Sequence, residues 1–263
     1  MPELIRLEYR NVTMRFPQDS GDSLIAVQGV SIAVRDGEVV SLIGPSGCGK
    51  STLLNIGSGL AAPSEGEAFV DGERVEGPNA HVAFMLQKDL LLPWRTVVEN
   101  VMFGVEIQGV PAAERKRRAQ ALLENLKLAE FSRHYPHQLS GGMRQRVALA
   151  RTLAVDPTVL LLDEPFSAVD AQTRITLQQE LAQTLKRADK TALLITHDLL
   201  EAVTLSDRVL VMSRRPGKII DEIAIDIPGR DDPLTRRHDA KIGGYVNRLM
   251  DRLGIGTEER VPA

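Results

Sequence analysis

The stretch from Val39 to Thr52 constrains this chain more than any other. Val39-Val40-Ser41-Leu42-Ile43 is a short, nearly continuous apolar run. It leads directly into Gly44-Pro45-Ser46-Gly47-Cys48-Gly49-Lys50-Ser51-Thr52, a complete Gly-x-x-x-x-Gly-Lys-Ser pattern. A strand buried on both faces, a glycine-rich turn and a helix from Lys50 to Gly59 belong to an open α/β sheet. Such sheets gather their ligands at the C-terminal ends of the strands. Glycines let the backbone curl so that N–H groups converge on a phosphate, and the following helix N-terminus adds its dipole. In that frame Lys50 reaches the β- and γ-phosphates, Ser51 ligates Mg2+ and Thr52 supports the α-phosphate side. Cys48 stands at a variable position of the pattern and has no catalytic task. A bulky adduct on its thiol is expected to block the phosphate site.

Other apolar runs repeat the strand pattern. Val159-Leu160-Leu161-Leu162 ends in Asp163-Glu164-Pro165, Ala192-Leu193-Leu194-Ile195 ends in Thr196-His197-Asp198, and Val209-Leu210-Val211-Met212 is a third. Separated by helical stretches, they read as parallel strands. Upstream, Leu4 to Val12 and Ala26 to Val34 are alternating or β-branched, on either side of the polar loop Gln18 to Ser23, and Pro63 to Gly77 reads as a hairpin. From Leu90 to Asp156 the pattern is helical, with Ala112 to Ala129 presenting Leu122, Leu123, Leu126 and Leu128 on one apolar side. Ile242, Tyr245, Val246, Leu249, Met250 and Leu253 form one stripe of a terminal helix, which either packs on the domain edge or binds a partner. A chain of 263 residues suits one large domain with a subdomain. The expected organisation is a single domain over 1–263: a β-region and α/β core from 1–87 and 158–230, a helical subdomain over 88–157, and a helical tail over 231–263.

Asp163, at the end of a buried strand, is placed to hold Mg2+ directly or through water, and Glu164 beside it to polarise an attacking water. A further motif, Leu139-Ser140-Gly141-Gly142-Met143-Arg144-Gln145-Arg146, lies between the phosphate loop and this acid pair. With these motifs in order, the chain resembles an ABC transporter ATP-binding subunit over nearly its whole length. The resemblance implies an α/β fold: a P-loop ATPase core with an N-terminal antiparallel β region and an inserted α-helical subdomain. It assigns Gln87 to the Q-loop, which senses Mg2+ and the γ-phosphate. Ser140, Gly141 and Gly142 fall in the signature loop, which contacts the γ-phosphate across a dimer. Asp170, within Ser167-Ala168-Val169-Asp170, falls in the D-loop; the family more often has leucine where Val169 stands. His197 matches the switch histidine. The catalytic set implied is Glu164, His197, Lys50 and Gln87; the metal set is Ser51, Gln87 and Asp163. The nucleotide set is Gly44 through Thr52 with Gln87, Ser140, Gly141, Gly142, Asp170 and one aromatic residue that stacks on adenine. Phe16 fits that aromatic position first and Tyr9 second, and either could simply pack. His81, His134, His137 and His238 match no motif and read as surface or structural residues.

Composition removes other classes. A formal net charge of −3 gives no electrostatic reason for a nucleic-acid partner. Cys48 is the sole cysteine, so an intrachain disulfide or cysteine-rich metal cluster is excluded, as suits a reducing cytosol. Met1 to Arg10 carries charges where a signal peptide needs an apolar core, and no run approaches the roughly 18 apolar residues of a membrane span. Any membrane role is therefore expected to run through another protein. Leu90-Leu91-Leu92-Pro93-Trp94-Arg95-Thr96 is unusually apolar for a loop and holds the only tryptophan. It reads either as an internal packing plug or as the wall of a groove for a membrane subunit's cytoplasmic helix.

The Leu91–Thr96 stretch and Ser213-Arg214-Arg215-Pro216-Gly217-Lys218-Ile219 are similar to importers of nitrate, sulfonates and taurine. That resemblance implies ATP and Mg2+ as ligands, a homodimer of ATPase subunits, integral membrane permease subunits and a separate solute-binding protein. It also implies a peripheral location on the cytoplasmic side of the inner membrane. Sulfonate or taurine and nitrate rank first as cargo; bicarbonate, cyanate or a pyrimidine precursor follow. The alternative is a non-transport ABC ATPase driving a soluble partner. Such proteins generally carry heptad insertions, zinc-binding cysteines or paired ATPase domains, which the sequence lacks. A phosphate-loop kinase or GTPase would leave Leu139–Arg146 unexplained.

Overall fold

Two sheets meet at the phosphate loop. The computed structural model describes residues 4–18, 22–167 and 169–255. Asp19, Ser20 and Gly21 of the polar loop, Ala168, and the tail after Ile255 lie outside the described residues. The first sheet is antiparallel: β1 (Ile5–Pro17), β2 (Ser23–Arg35), β4 (Glu65–Val70) and β5 (Glu73–Arg74), in the order β2-β1-β4-β5. The second contains β3 (Val39–Ile43), β6 (Val82–Met85), β7 (Val159–Asp163), β8 (Thr191–Ile195), β9 (Arg208–Met212) and β10 (Ile219–Ala224), in the order β10-β9-β3-β8-β7-β6. All its pairings are parallel except that of β10 with β9. Every residue of β3, β7, β8 and β9 is buried, which explains why these strands read as unbroken apolar runs.

Helix α1 (Lys50–Gly57) follows the phosphate loop. Between β6 and β7 the chain runs through α2 (Val97–Ile107), α3 (Ala112–Asn125) and α4 (Gly141–Ala154). Helix α5 (Ala171–Arg187) links β7 to β8 and α6 (Leu199–Leu205) links β8 to β9; α7 (Pro233–Arg236) and α8 (Ile242–Leu253) close the chain. Side-chain caps fix several starts. Ser140, Asp170 and Asp198 each accept a hydrogen bond from the backbone N–H three residues on, and Glu99 completes a capping box with Thr96 at α2. The residues that cap α4, α5 and α6 thus lie in three of the sequence motifs, so the same side chains set helix direction and site geometry.

Several expectations need adjustment. β1 and β2 run beyond the expected limits of Val12 and Val34, because register shifts around Asn11 and Gly29, both at positive φ, let pairing continue through polar residues. β6 and β10 were not foreseen. β6 is a four-residue parallel edge strand, and β10 an edge strand with Asp221 and Glu222 at its centre. The terminal stripe resolves in favour of packing. Ile242, Tyr245, Val246, Leu249 and Leu253 lie against a cluster that includes Ala202, Val203, Val209 and Ile223.

Candidate active site

The C-terminal ends of β3, β6, β7 and β8 meet along one edge of the parallel sheet, and each carries a candidate residue. After β3 the loop turns through Gly47 at φ 74° and Gly49 at φ 103°. Gly49 has no room for a side chain, since a Cβ there would come within 2.4 Å of Val27 Cγ1. Lys50 Nζ donates to the carbonyls of Gly44 at 2.7 Å and Pro45 at 3.0 Å, which holds the ammonium inside the loop. A cleft of about 270 Å³ is lined by Ser46, Gly47, Gly49, Lys50, Ser51 and Thr52 together with Glu164, Arg215 and the apolar residues Phe16, Leu24 and Ala26. A positive-φ glycine turn around a single buried ammonium suits a phosphate tail, and the apolar wall suits a base.

The acid pair sits at the end of β7. The Ser51 hydroxyl donates to the Asp163 carboxyl; burial pushes that carboxyl above the usual carboxylate range, while Ser51 and the Lys50 ammonium pull it back. A hydroxyl and a carboxylate facing each other are hard oxygen donors of the kind Mg2+ takes. Glu164 has φ 46°, an unusual conformation for a non-glycine residue that turns its side chain away from the strand line. Its Oε2 accepts from Gln87 Nε2 at 3.0 Å and lies 3.2 Å from His197 Nδ1. Its Oε1 accepts no hydrogen bond among the described residues. Gln87, Glu164 and His197 come from three different strand ends, and they converge on one carboxylate.

The remaining candidates divide. Gly44, Pro45, Ser46 and His197 border a second cavity of about 380 Å³ beside the loop. Ser140, Gly141, Gly142 and Asp170 line neither cavity. Gly142 instead packs on the D-loop side, where a Cβ would meet Thr173 Cγ2 at 2.6 Å and Val169 Cγ1 at 3.7 Å. Of the two aromatic candidates, Tyr9 is excluded from stacking: it is 1 % exposed and its hydroxyl donates to Leu53 O at 2.8 Å. Phe16 is 41 % exposed on the cleft wall. The Cys48 thiol is 1 % exposed and packs in the core under the loop, 3.9 Å from Lys50 Nζ. It is near the cradle as expected, but closed to a reagent in the folded protein. Trp94 is 71 % exposed and so is no internal plug, whereas Leu91 of the same loop is buried in the core. The histidines outside the motifs make local contacts: His81 Nδ1 lies 3.0 Å from Asp71 Oδ2, His134 meets the Phe131 ring edge-on and His137 stacks on Tyr135, while the His238 N–H donates to Thr235 O.

Several organising residues went unnoticed in the sequence. Asn100 is fully buried in α2. Its Oδ1 accepts from Leu92 N at 2.7 Å, and its Nδ2 lies within 3.2 Å of the carbonyls of Leu92, Arg95 and Thr96, so one side chain fixes the loop that carries Trp94. From α4, Arg151 donates to the carbonyls of Asp89 and Leu90, Arg144 pairs with Asp89, and Gln145 donates to Pro165 O at 2.6 Å. Helix α4 therefore ties the segment after Gln87 to the turn after Glu164. The one available signal was an asparagine inside the apolar stripe Val97, Val101 and Val105.

Comparison with known proteins agrees with this geometry. The family model described as ABC transporter matches residues 27–167. An uncharacterized ABC transporter ATP-binding protein of Methanocaldococcus jannaschii is 46 % identical over 223 residues, 85 % of this chain and 83 % of that protein. The taurine import ATP-binding protein TauB of Roseobacter denitrificans is 44 % identical, covering 82 % and 81 % of the two chains. The nitrate import ATP-binding protein NrtD of a Synechocystis species is 44 % identical, covering 83 % of each. Among solved structures, the ATP-binding cassette MJ0796 in a dimeric post-hydrolysis state with ADP and Pi superposes with a TM-score of 0.75 at 32 % identity, covering 84 % of this chain and 99 % of that one.

Proposed function

Because the chain belongs to the ABC transporter family of ATP-binding proteins, an ATPase family, we propose that it is the ATP-hydrolysing subunit of an importer for a small anion such as taurine, another sulfonate or nitrate. The observation that carries the catalytic part of the reading is the Glu164 carboxylate, which lines the cleft with Lys50: one oxygen is held by Gln87 and His197, and the other accepts no hydrogen bond among the described residues. That second oxygen is free to accept a proton from a water aimed at the γ-phosphate, while the two neighbours fix its direction. Lys50 and the loop N–H groups hold the phosphate tail, and Phe16 stacks on the base. Mg2+, held by Ser51 and Asp163 with Gln87 nearby, would neutralise charge developing on the phosphates. Ser140, Gly141, Gly142 and Asp170 lie outside the cleft of their own chain, which fits a homodimer in which each completes the partner's site.

In this reading 1–87 and 158–230 form the nucleotide core, 88–157 the helical subdomain and 231–263 the tail. The loop after Gln87, with Leu90 and Trp94 exposed and its backbone pinned by Asn100 and Arg151, offers a rigid apolar surface to a permease helix. Among the described residues no helix is long and apolar enough to cross a membrane, so attachment to the cytoplasmic face would run through that permease. The anionic cargo rests on the taurine and nitrate import relatives, and a separate solute-binding protein would deliver it. The test is purification of the tagged chain from mildly solubilised native membranes. A stoichiometric multi-spanning partner is the expected result, and its binding protein would then be screened thermally against taurine, sulfonates and nitrate. Recovery from the soluble fraction alone, with a soluble partner, would overturn the transport reading.

A further inference from the structure

The loop between β9 and β10 touches the phosphate loop from behind. Gly217 donates to Ala26 O at 2.9 Å and accepts from Gln28 N at 3.0 Å, which locks this loop onto β2. A Cβ on Gly217 would fall 2.0 Å from Cys48 O, so the contact with the phosphate loop is backbone against backbone. Ser213 braces the loop from within: its hydroxyl donates to Pro216 O and accepts from Lys218 N, both at 3.0 Å. Out of this braced segment Arg215 reaches forward. Its Nε and Nη2 both donate to Gly47 O, at 3.0 and 2.7 Å.

Gly47 O and the Cys48 N–H belong to one peptide plane, and in a trans peptide they point in opposite directions. A guanidinium that grips the carbonyl therefore fixes the direction of the N–H, which turns across the loop toward Pro45 O. There it makes only a long bond, 3.3 Å to Pro45 O, and remains the kind of donor that an anion can recruit. The Arg215 Nη1 makes no hydrogen bond among the described residues, and the side chain lines the same cleft as Phe16 and Lys50, so its charge also faces the nucleotide. Without the grip, Gly47 at positive φ is free to rotate its peptide plane, because glycine has no side chain to resist.

We infer that Arg215 is a positioning residue for nucleotide binding, which clamps the Gly47 carbonyl so that the phosphate loop presents its N–H groups to the nucleotide's phosphates. The inference rests on the nucleotide-site reading above and adds a residue that lies outside every motif of that site. It also gives the Ser213–Gly217 loop a role as the brace joining the base wall on β2 to the phosphate cradle.

The test compares the full chain with Arg215→Ala, Arg215→Lys and, as a control, Lys50→Ala. Calorimetric titration with ATP and the melting temperature without nucleotide are measured for each. Loss of a charged clamp is expected to weaken ATP binding by about tenfold in Arg215→Ala. Arg215→Lys, which keeps the charge and one donor but loses the two-nitrogen grip, is expected to bind ATP with an affinity between those of Arg215→Ala and the parent. The nucleotide-free melting temperature is expected to stay within about 2 °C in both variants, because Arg215 is exposed and buries little. Affinity of Arg215→Ala within about twofold of the parent would overturn the clamp, as would a larger fall in the nucleotide-free melting temperature or a failure of lysine to rescue. A parent protein that binds ATP no better than Lys50→Ala would instead overturn the nucleotide-site reading itself.

Discussion

Glu201 offers a direct test of the electrostatics beneath the switch histidine. It is the third residue of α6, 3 % exposed, in the segment that begins with His197 and Asp198. Gln178 Nε2 donates to its Oε2 at 2.8 Å, and Gln178 is itself oriented because its Oε1 accepts from Arg237 Nη2 at 2.7 Å. Burial pushes the Glu201 carboxyl from its ordinary 4.5 up to about 7, against the pull of the Thr196 and Gln178 hydrogen bonds. An acid whose pKa is raised on folding holds a proton in the native state that the unfolded chain has already lost. Its stabilisation is complete below the unfolded value and disappears as pH rises through the folded value. The shift corresponds to about 3 kcal/mol in total, of which about 2 kcal/mol falls between about pH 5.5 and about pH 8.5.

Glu201→Gln keeps the shape and removes the ionisation. Urea denaturation of the nucleotide-free protein, run for both chains at the two pH values, isolates this group because every other titration is shared. The variant is expected to gain about 2 kcal/mol relative to the parent on going from the lower to the higher pH. Parallel pH profiles, with the difference between the two chains constant, would refute the reasoning and mean that Glu201 is charged throughout.

Other consequences can be measured on the same protein. Glu164→Gln is expected to bind ATP, lose hydrolysis by about 10²–10⁴-fold and accumulate as a dimer, read by phosphate release and size-exclusion chromatography. Asn100→Asp keeps the acceptor for Leu92 N but turns a carboxylate toward three carbonyls, and is expected to cost about 3 kcal/mol in denaturant unfolding. Phe16→Ala is expected to weaken ATP binding about tenfold by titration calorimetry through lost stacking. Tyr9→Phe, which removes the buried bond to Leu53 O, is expected to cost about 1 kcal/mol of stability with ATP affinity unchanged.

The legible part of this molecule is the part whose chemistry demands neighbours in sequence. A phosphate cradle needs consecutive backbone N–H groups, so Gly44 to Thr52 must be one segment. An acid pair at a strand end follows directly from a run such as Val159–Asp163. Strands buried on both faces announce themselves because every side chain faces a core. Edge strands do not: β10 reads Ile-Ile-Asp-Glu-Ile-Ala and owes its pairing to β9 rather than to its own pattern. The resemblance ranks Phe16 ahead of Tyr9, and the course of β1 past its irregular register supplies the physical reason: Tyr9 ends in the core and Phe16 at the cleft.

What stayed hidden are the side chains that hold backbone in place across long separations. Arg215 grips a carbonyl 168 residues away, and Arg151 grips two carbonyls roughly 60 residues upstream. Neither contact has a pattern of its own, because any buried or partly buried carbonyl accepts an arginine equally well. Asn100 is the instructive exception. A fully buried amide in an apolar stripe costs free energy unless all its groups are paired, so its presence there requires unpaired backbone nearby. The loop it serves, Leu92 to Thr96, cannot pair regularly past Pro93: its backbone makes only a turn bond from Arg95 N to Leu92 O and the first helical bond from Asn100 N to Thr96 O, and the Asn100 amide adds the bonds that hold Arg95 O and Leu92 N in place. A polar residue at a core position is therefore a physical signal for the same loop that its apolar composition and its tryptophan single out, and an independent one.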